Sequence, residues 1–387
     1  MSSTRVLVPT DRPPRRAEDV EHHVVYRDEN EFAAWPYYCG LWQTADGSLV
    51  AGFKRVPTDY RSISHYDLVN RPGEIVVIRS TDGGRTWDRN SVVPVFDMSI
   101  TSEEELPGGA AADWSDLPPL DFTSRDTLLM GGGIPKLMSG GAARAWIRAS
   151  TDGGRTWRPP ALLPNWDFPG VSLPGTSMYS VRGDGVMLFG VQAWAPGVKS
   201  PLPVVYASHD GVQFPYLGSI IDEQHASPFW PGGRFASARH LYPRVVVLAD
   251  GRVLAALRHE RDPRGVFWVE VHESLDGGRT WHWLSRVNDW GAPGDLVPLH
   301  DGRVLCVYGY RLRPGPGIRY RVSEDGGRTW GPEVILRDDG GSWDLGYPRA
   351  VEIEPGTVLT HYWINHAGDG VDADGGVRHI ACTIFRP

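Results

Sequence analysis

The sequence has few cysteines and none of the short motifs that mark common cofactor sites. Three cysteines among 387 residues are an odd number, and each lies in a strand-like run, so we expect buried, reduced thiols rather than disulfides or metal ligands. The patterns GxxxxGK[ST], HExxH and CxxC are all absent from the sequence. We therefore expect no cofactor and no metal.

The sequence also lacks a long apolar run and an excess of positive charge. No apolar run approaches the ~20 residues of a membrane-spanning helix, and residues 1–16 lack the apolar segment of a signal peptide. A formal net charge of −8 disfavours binding to nucleic acid, which is a polyanion. We expect a cytoplasmic protein that binds neither nucleic acid nor membrane, and the sequence leaves its oligomeric state open.

An octapeptide of the form S-x-D-G-G-R-T-W recurs along the chain, each time after a strand-like run. The four copies are Ser80–Trp87, Ser150–Trp157, Ser274–Trp281 and Ser323–Trp330, and a degenerate copy spans Ser208–Phe214. Glycine accepts the positive φ that tight hairpin turns require. Each copy therefore predicts one hairpin, and the repetition predicts an array of β units.

A second repeat, a turn followed by an apolar strand, occurs six times and sets the number of units. The copies span residues 46–53, 125–132, 183–191, 249–257, 300–308 and 354–363. They predict an all-β fold, a six-bladed β-propeller of four-stranded antiparallel blades. The last unit ends one strand short, so we expect strand 22–28 to complete it and close the ring. The predicted organisation is an N-terminal tail at 1–20 and one propeller at 21–387.

The octapeptides resemble the Asp-box, or BNR repeat, of the sialidase superfamily, and six units match the six-bladed propeller of that family. The resemblance implies a structural role for the octapeptide aspartates. Their carboxylates bond the turn backbone, and the tryptophan packs between strands at the blade periphery. As an activity, the resemblance implies hydrolysis of a terminal, acidic sugar from an oligosaccharide or glycoconjugate.

Functional residues of a propeller are expected at its axis, where the inner strands converge. Counting back from the turn glycine of each unit, position −9 holds a tyrosine three times and position −7 holds a charged residue three times. These residues are Tyr38, Tyr242 and Tyr347, and Arg244, Asp295 and Arg349. Because strand side chains alternate, both positions share a face and converge. They predict a substrate site that includes the neighbouring Tyr37. The alternative is a filled axial channel in which the arginines pair with Asp295.

The resemblance also implies individual roles. Sialidases carry a tyrosine nucleophile on the inner strand of the last blade, a place that Tyr347 matches, and Tyr242 is the second catalytic candidate. Their acid/base aspartate lies in a loop of the first blade. Asp67 is the closest match there, followed by Asp59 and Glu74.

Two departures from the family pattern bear on the substrate. Trp-Pro-Tyr-Tyr at 35–38 replaces an R-I-P motif, and Tyr242 replaces the glutamate that polarises the nucleophile. They disfavour a three-arginine clamp and sialic acid itself. A phenol with a pKa of about 10 is a poor nucleophile, so we expect Arg244 and Arg349 to lower that pKa. Four further arginines are candidates for the clamp without an assigned position: Arg258, Arg261, Arg311 and Arg313.

Other features leave two alternative functions open. Trp230, in the long loop 221–240, is a candidate for stacking on a sugar. One alternative is a lyase for uronate-containing glycans, in which a tyrosine and either His259 or His361 move protons while arginines neutralise the carboxylate. The other is a glycan-binding propeller without chemistry.

Overall fold

The structure, a computed structural model, describes residues 13–60, 71–134, 144–163, 170–171, 177, 179–194, 202–221, 239–262, 266–369 and 375–387. Almost all regular structure in these residues is β-strand, arranged in six small sheets. The predicted six-bladed β-propeller is confirmed. No helix within the described ranges has the length and apolar character that a membrane crossing requires.

The two N-terminal strands join the last two blades of the ring. Strand β1 (Arg15–Arg16) runs parallel to the outer strand Val334–Arg337 of the fifth blade. Strand β2 (Glu21–Tyr26) pairs antiparallel with the terminal strand His379–Phe385. The N-terminal strand therefore closes the ring as predicted, and part of the expected tail adds an edge strand to its neighbour.

The first two blades follow in chain order. Blade 1 consists of β3 (Glu31–Ala34), the short helix α1 (Pro36–Cys39), β4 (Leu41–Gln43), β5 (Leu49–Pro57), β6 (Glu74–Ser80) and β7 (Asp88–Asp97). Two 3₁₀ turns come next, Glu103–Glu105 and Gly109–Ala111. The described strands of blade 2 are β8 (Leu128–Ile134), β9 (Arg144–Ser150) and β10 (Ala161–Leu162).

Four-stranded antiparallel paths dominate the remaining blades. Blade 3 contains β11 (Gly170–Val171), β12 (Tyr179–Val181), β13 (Met187–Trp194), β14 (Leu202–Ser208) and β15 (Tyr216–Ser219). Blade 4 contains β16 (Arg239–Val247), β17 (Val253–Asp262), β18 (Val266–Ser274) and β19 (His282–Arg286). Blade 5 contains β20 (Gly294–Pro298), β21 (Val304–Tyr310), β22 (Gly317–Ser323) and β23 (Val334–Arg337). Blade 6 contains β24 (Gly346–Glu354), β25 (Thr357–Ile364), β26 (His379–Phe385) and β2.

The blades pack face to face through side chains that alternate along each strand. On β17, Leu254 and Ala256 pack in one cluster with side chains of blade 5. Val253 and Ala255, which point the other way, pack with side chains of blade 3. Because both faces of the sheet are covered, the strands are apolar at successive positions and not only at alternate ones.

The octapeptides form the turns between the third and the outer strand of their blades. In the turn between β18 and β19, Asp276 accepts hydrogen bonds from the amides of Arg279 (3.1 Å) and Thr280 (2.9 Å) and from the Ser274 hydroxyl (2.8 Å). The indole of Trp281 donates to the Gly278 carbonyl at 3.0 Å. Burial opposes ionisation, but the hydrogen bonds outweigh it and lower the pKa of Asp276.

The same turn recurs in the other copies. The matching aspartates Asp82, Asp152 and Asp325 accept equivalent amide bonds. Both glycines of each turn have positive φ, for example 76° at Gly277 and 101° at Gly278. These contacts confirm the structural role that the resemblance implies. Cys39, Cys306 and Cys382 are buried free thiols, as the sequence predicts.

Candidate functional site

Three tyrosines from three blades meet in one cluster. Tyr38 comes from α1, Tyr242 from β16 and Tyr347 from β24. The ring centroids of Tyr38 lie 5.4 Å from Tyr242 and 5.5 Å from Tyr347, and the latter two are 5.8 Å apart. The hydroxyls of Tyr242 and Tyr347 are 3.5 Å apart. The structure thus brings together the tyrosines that the sequence places at matched positions.

An unusual backbone conformation directs two of these side chains. Tyr242 and Tyr347 each precede a proline, and their φ angles are 65° and 51°. At both Tyr-Pro pairs the register between the inner strand and its neighbour shifts. A residue other than glycine in this region costs about 1–3 kcal/mol, and such strain is concentrated at functional sites. The shift also interrupts the strict alternation on which the sequence prediction relied.

The two arginines predicted beside the tyrosines form a buried ion cluster with Asp295. Arg244 Nε lies 2.6 Å and Arg349 Nη1 3.0 Å from the same carboxylate oxygen of Asp295. The other oxygen accepts the amide of Ala350 at 2.7 Å. Asp295 is 0% and Arg349 4% exposed. The sequence left open whether these arginines bind substrate or pair with Asp295. In the structure they pair with Asp295.

Tyr37 connects the tyrosine cluster with this ion cluster. Its hydroxyl, which is fully buried, lies 3.1 Å from the carbonyl oxygen of Tyr242 and 3.3 Å from that of Gly294, the neighbour of Asp295. Its ring centroid lies 6.4 Å from those of both Tyr242 and Tyr347. These contacts make Tyr37 a positioning residue for the inner strands.

Two other arginines contact the tyrosine cluster. Arg258 on β17 donates from Nη1 to the phenol oxygen of Tyr347 at 3.4 Å. Arg311, which follows β21, places its guanidinium 4.9 Å from the ring centroid of Tyr347. The backbone carbonyl of Leu345 accepts its Nε–H at 3.0 Å and holds it there. Both arginines are among the candidates that the sequence offers without a position.

The charges of these arginines distinguish Tyr347 from the other two tyrosines. Burial opposes ionisation of Tyr347, but Arg258 and Arg311 outweigh it, so the pKa of Tyr347 is lowered. Burial raises the pKa of Tyr38 and of Tyr242. Tyr347 is therefore the phenol of the cluster that is biased toward the phenolate. The expectation that Arg244 and Arg349 supply this effect was wrong, because Asp295 holds both of them.

Sequence reasoning missed one carboxylate beside this group. Glu260 Oε2 lies 3.1 Å from Arg258 Nη2, so a carboxylate, a guanidinium and the Tyr347 phenol follow one another in a chain of contacts. Glu260 is 4% exposed. Arg258 and Glu260 are two positions apart on β17, so their side chains lie on the same face of the strand. This spacing in the sequence could have identified them as a pair.

Of the three predicted candidates for the acid, Asp59 and Glu74 lie within the described residues and Asp67 does not. The stacking candidate Trp230 also lies outside the described residues. Glu74 forms an ion pair with Arg55 at 2.8 Å, and Asp59 is exposed after the end of β5. The role of Asp67 stays a prediction.

The two predicted histidines hydrogen bond away from the tyrosines. The ring nitrogens of His361 lie 3.2 Å and 3.4 Å from the carbonyl oxygens of Gly52 and Arg349, and burial lowers its pKa to about 4. His259 lies 2.9 Å from His240 in a separate cluster of blade 4. His240, His259 and Glu270 place three metal-ligating atoms within 4.8 Å of one another.

Comparisons with known proteins agree with this architecture. A family model described as a BNR repeat-like domain matches residues 132–359. A sialidase of Bacteroides fragilis (strain YCH46) is 23% identical over 363 residues, which cover 82% of this chain and 58% of the relative. The chain therefore spans little more than half the length of that relative.

Solved structures resemble the propeller over nearly its whole length. A protein of unknown function from Dyadobacter fermentans DSM 18053 is similar with a TM-score of 0.70 and 26% identity, covering 95% of this chain and 99% of that chain. A Hadza microbial sialidase is similar with a TM-score of 0.58 and 20% identity, covering 92% of this chain and 66% of that chain. The second likeness concerns the fold alone.

Proposed function

The chain belongs to the family of BNR repeat-like domains, and from this premise we propose that it is a glycoside hydrolase that removes a terminal, acidic sugar from a glycan. The observation that carries the proposal is the environment of Tyr347. This phenol stands among tyrosines of three blades, with Arg258 and Arg311 beside it and a lowered pKa. The sialidase among the relatives supports a carbohydrate substrate.

In the proposed reaction Tyr347 is the nucleophile. Its phenolate attacks the anomeric carbon, a bond from that carbon to the tyrosine oxygen forms, and the bond to the leaving-group oxygen breaks. A carboxylic acid, for which Asp67 is the candidate, protonates the leaving oxygen. The same group then removes a proton from water, which attacks the anomeric carbon and releases Tyr347. Two displacements at one carbon retain its configuration.

The neighbours of Tyr347 have separate tasks in this scheme. Arg258 and Arg311 stabilise the phenolate between turnovers, and their positive charge favours a substrate that carries a carboxylate or another anion. Tyr242 and Tyr38 have raised pKa values, so they stay neutral and can donate hydrogen bonds to the phenolate or the sugar. Glu260 holds Arg258 in position.

The lyase alternative has weaker support from the geometry. It needs a histidine beside the tyrosines and free arginines for the uronate. His361 and His259 hydrogen bond elsewhere, and Arg244 and Arg349 are paired with Asp295. A hydrolase requires only Tyr347, the side chains that contact it and an acid, which supports the proposal.

The test is the Tyr347→Phe variant, which removes one hydroxyl from a buried ring. We expect kcat/KM on an aryl glycoside of an acidic sugar to fall by about 100-fold or more, the scale of a positioned catalytic side chain. Tyr320→Phe is the matched control, since Tyr320 is a buried tyrosine of β22 in blade 5. It should retain wild-type activity.

The products separate the three functional classes. A hydrolase releases a reducing sugar without an unsaturated uronate, whereas a lyase produces the unsaturated uronate. Wild-type activity in Tyr347→Phe removes this tyrosine from the mechanism. No product from a broad panel of acidic and neutral glycans, together with glycan binding, overturns the hydrolase in favour of a binding protein.

A further inference from the structure

Three histidines and a glutamate form a buried cluster within blade 4. His240 lies on β16, His259 on β17, and Glu270 and His272 on β18. His240 and His259 are direct partners across the two strands. Glu270 and His259 are 0% exposed and His272 is 1% exposed. The function proposed above uses none of these side chains.

The ligating atoms of His240, His259 and Glu270 converge. His259 Nδ1 lies 2.9 Å from His240 Nε2 and 3.4 Å from Glu270 Oε1. His240 Nε2 lies 3.5 Å from Glu270 Oε2. Ligand atoms of a tetrahedral Zn²⁺ site with bonds of about 2.0–2.1 Å are about 3.3 Å apart. The two nitrogen–oxygen distances match this value closely, each to a different oxygen of Glu270, and the nitrogen–nitrogen distance needs to open by only a few tenths of an ångström.

Neighbouring side chains hold Glu270 and His259 in position, as residues around a metal site hold its ligands. The indole of Trp268 donates to Glu270 Oε1 at 2.8 Å and stacks on the His259 ring at a centroid distance of 4.4 Å. Arg286 in turn lies 4.1 Å from the centre of the Trp268 ring. Such groups fix the orientation of the first ligands and raise metal affinity.

A third nitrogen points at the same carboxylate. His272 Nε2 lies 3.8 Å from Glu270 Oε2 and has no hydrogen-bond partner among the described residues. Burying a polar nitrogen in this way costs free energy unless something compensates it. A cation bound at Glu270 leaves His272 within reach as an additional ligand or as a hydrogen-bond partner of the bound carboxylate.

We propose that His240, His259 and Glu270 bind a divalent transition metal of the zinc class. Two imidazoles and a carboxylate are a donor set for Zn²⁺ and its neighbours, whereas Ca²⁺ and Mg²⁺ prefer oxygen ligands alone. The metal joins β16, β17 and β18, and the first two also carry Tyr242 and Arg258 of the tyrosine cluster. Its role is to stabilise the blade. The absence of the common contiguous motifs led to the expectation of no metal, whereas the ligands proposed here lie on three separate strands.

The experiment measures Zn²⁺ binding to untagged protein. After a chelator has been removed by dialysis, wild-type protein should bind about one Zn²⁺ per chain by elemental analysis, and added Zn²⁺ should raise its Tm. Co²⁺ in place of Zn²⁺ should give visible d–d absorption. Glu270→Gln keeps the shape and can still accept the Trp268 hydrogen bond, but its affinity for Zn²⁺ should fall by about 100-fold or more.

Two further variants make the test decisive. His379→Asn changes a buried histidine of blade 6 outside the cluster and should bind Zn²⁺ like the wild type. If Glu270→Gln does not fold, His240→Gln replaces it, because the His240 side chain is 11% exposed and tolerates change better. Wild-type protein that neither retains Zn²⁺ nor gains Tm overturns the site. Unchanged affinity in the folded cluster variant does so as well.

Discussion

Arg258 donates a hydrogen bond across 3.4 Å to the phenol oxygen of Tyr347. Tyr242 replaces the glutamate that polarises the tyrosine in the family pattern, so the charged group that contacts this phenol is a guanidinium and not a carboxylate. The two arrangements act differently, since a carboxylate removes the phenol proton while a positive charge stabilises the phenolate once it has formed. Glu260 keeps Arg258 in this position.

The first prediction concerns this contact. Arg258→Met removes the positive charge, so the pKa of Tyr347 should rise toward that of a buried phenol. Because the phenolate is the nucleophile, activity increases as pH rises through this pKa. The basic shift should move the rising limb of the kcat/KM profile to higher pH and lower kcat/KM at neutral pH by about 10-fold or more. Arg258→Lys, which keeps the charge, should shift the limb less. An unshifted limb in Arg258→Met contradicts the proposed role.

The second prediction concerns the acid. Asp67→Asn should lower turnover most for substrates with poor leaving groups, because protonation matters more as the leaving oxygen becomes more basic. The measurement compares kcat/KM on an activated aryl glycoside with that on a natural oligosaccharide, and Asp59→Asn, at the second candidate for the acid, is measured in the same way. Equal losses on both substrates assign Asp67 to binding.

The third prediction concerns the buried ion cluster. Asp295→Asn leaves Arg244 and Arg349 without their shared carboxylate, and breaking a buried charge pair in this way destabilises proteins by about 3–5 kcal/mol. Unfolding by denaturant should show this loss. Asp301→Asn, at a surface pair with Arg303, should change stability little. A similar small change in Asp295→Asn means that the arginines do not depend on this carboxylate.

The fourth prediction concerns the octapeptide turns. Asp276→Ala removes the acceptor of several turn hydrogen bonds, so the free energy of unfolding should fall by on the order of 1 kcal/mol. Activity per folded molecule should persist, because the turn lies at the outer edge of its blade. Lost turnover at unchanged Tm places chemistry at the periphery.

The fifth prediction concerns stability in acid. Burial lowers the pKa of His361 to about 4, below the value of about 6.5 expected in the unfolded chain. The unfolded state therefore binds more protons between these two values, and stability falls as pH falls from about 6.5 toward about 4. His361→Gln should weaken this dependence of Tm on pH, whereas His282→Gln, at an exposed site of β19, should preserve it. Parallel Tm profiles for wild type and His361→Gln rule out this histidine as a cause.

The sequence by itself determined the architecture. Asp-Gly-Gly turns and alternating apolar strands act over a few residues, so their repetition predicts the hairpins, the number of blades and the closing strand near residue 22 without any long-range information. Matched positions in these repeats also identified the three tyrosines, because equivalent segments of the blades approach one axis, although Tyr38 lies on helix α1 and not on the expected inner strand.

The tertiary structure alone decided which charges accompany the tyrosines. Register shifts at Tyr242-Pro243 and Tyr347-Pro348 break the alternation that would align positions −9 and −7, and Asp295 then binds both predicted arginines. Arg258 on β17 and Arg311, which follows β21, reach Tyr347 instead. Local repeats encode turns and strands, whereas a contact between side chains of different blades depends on how the closed ring brings them together.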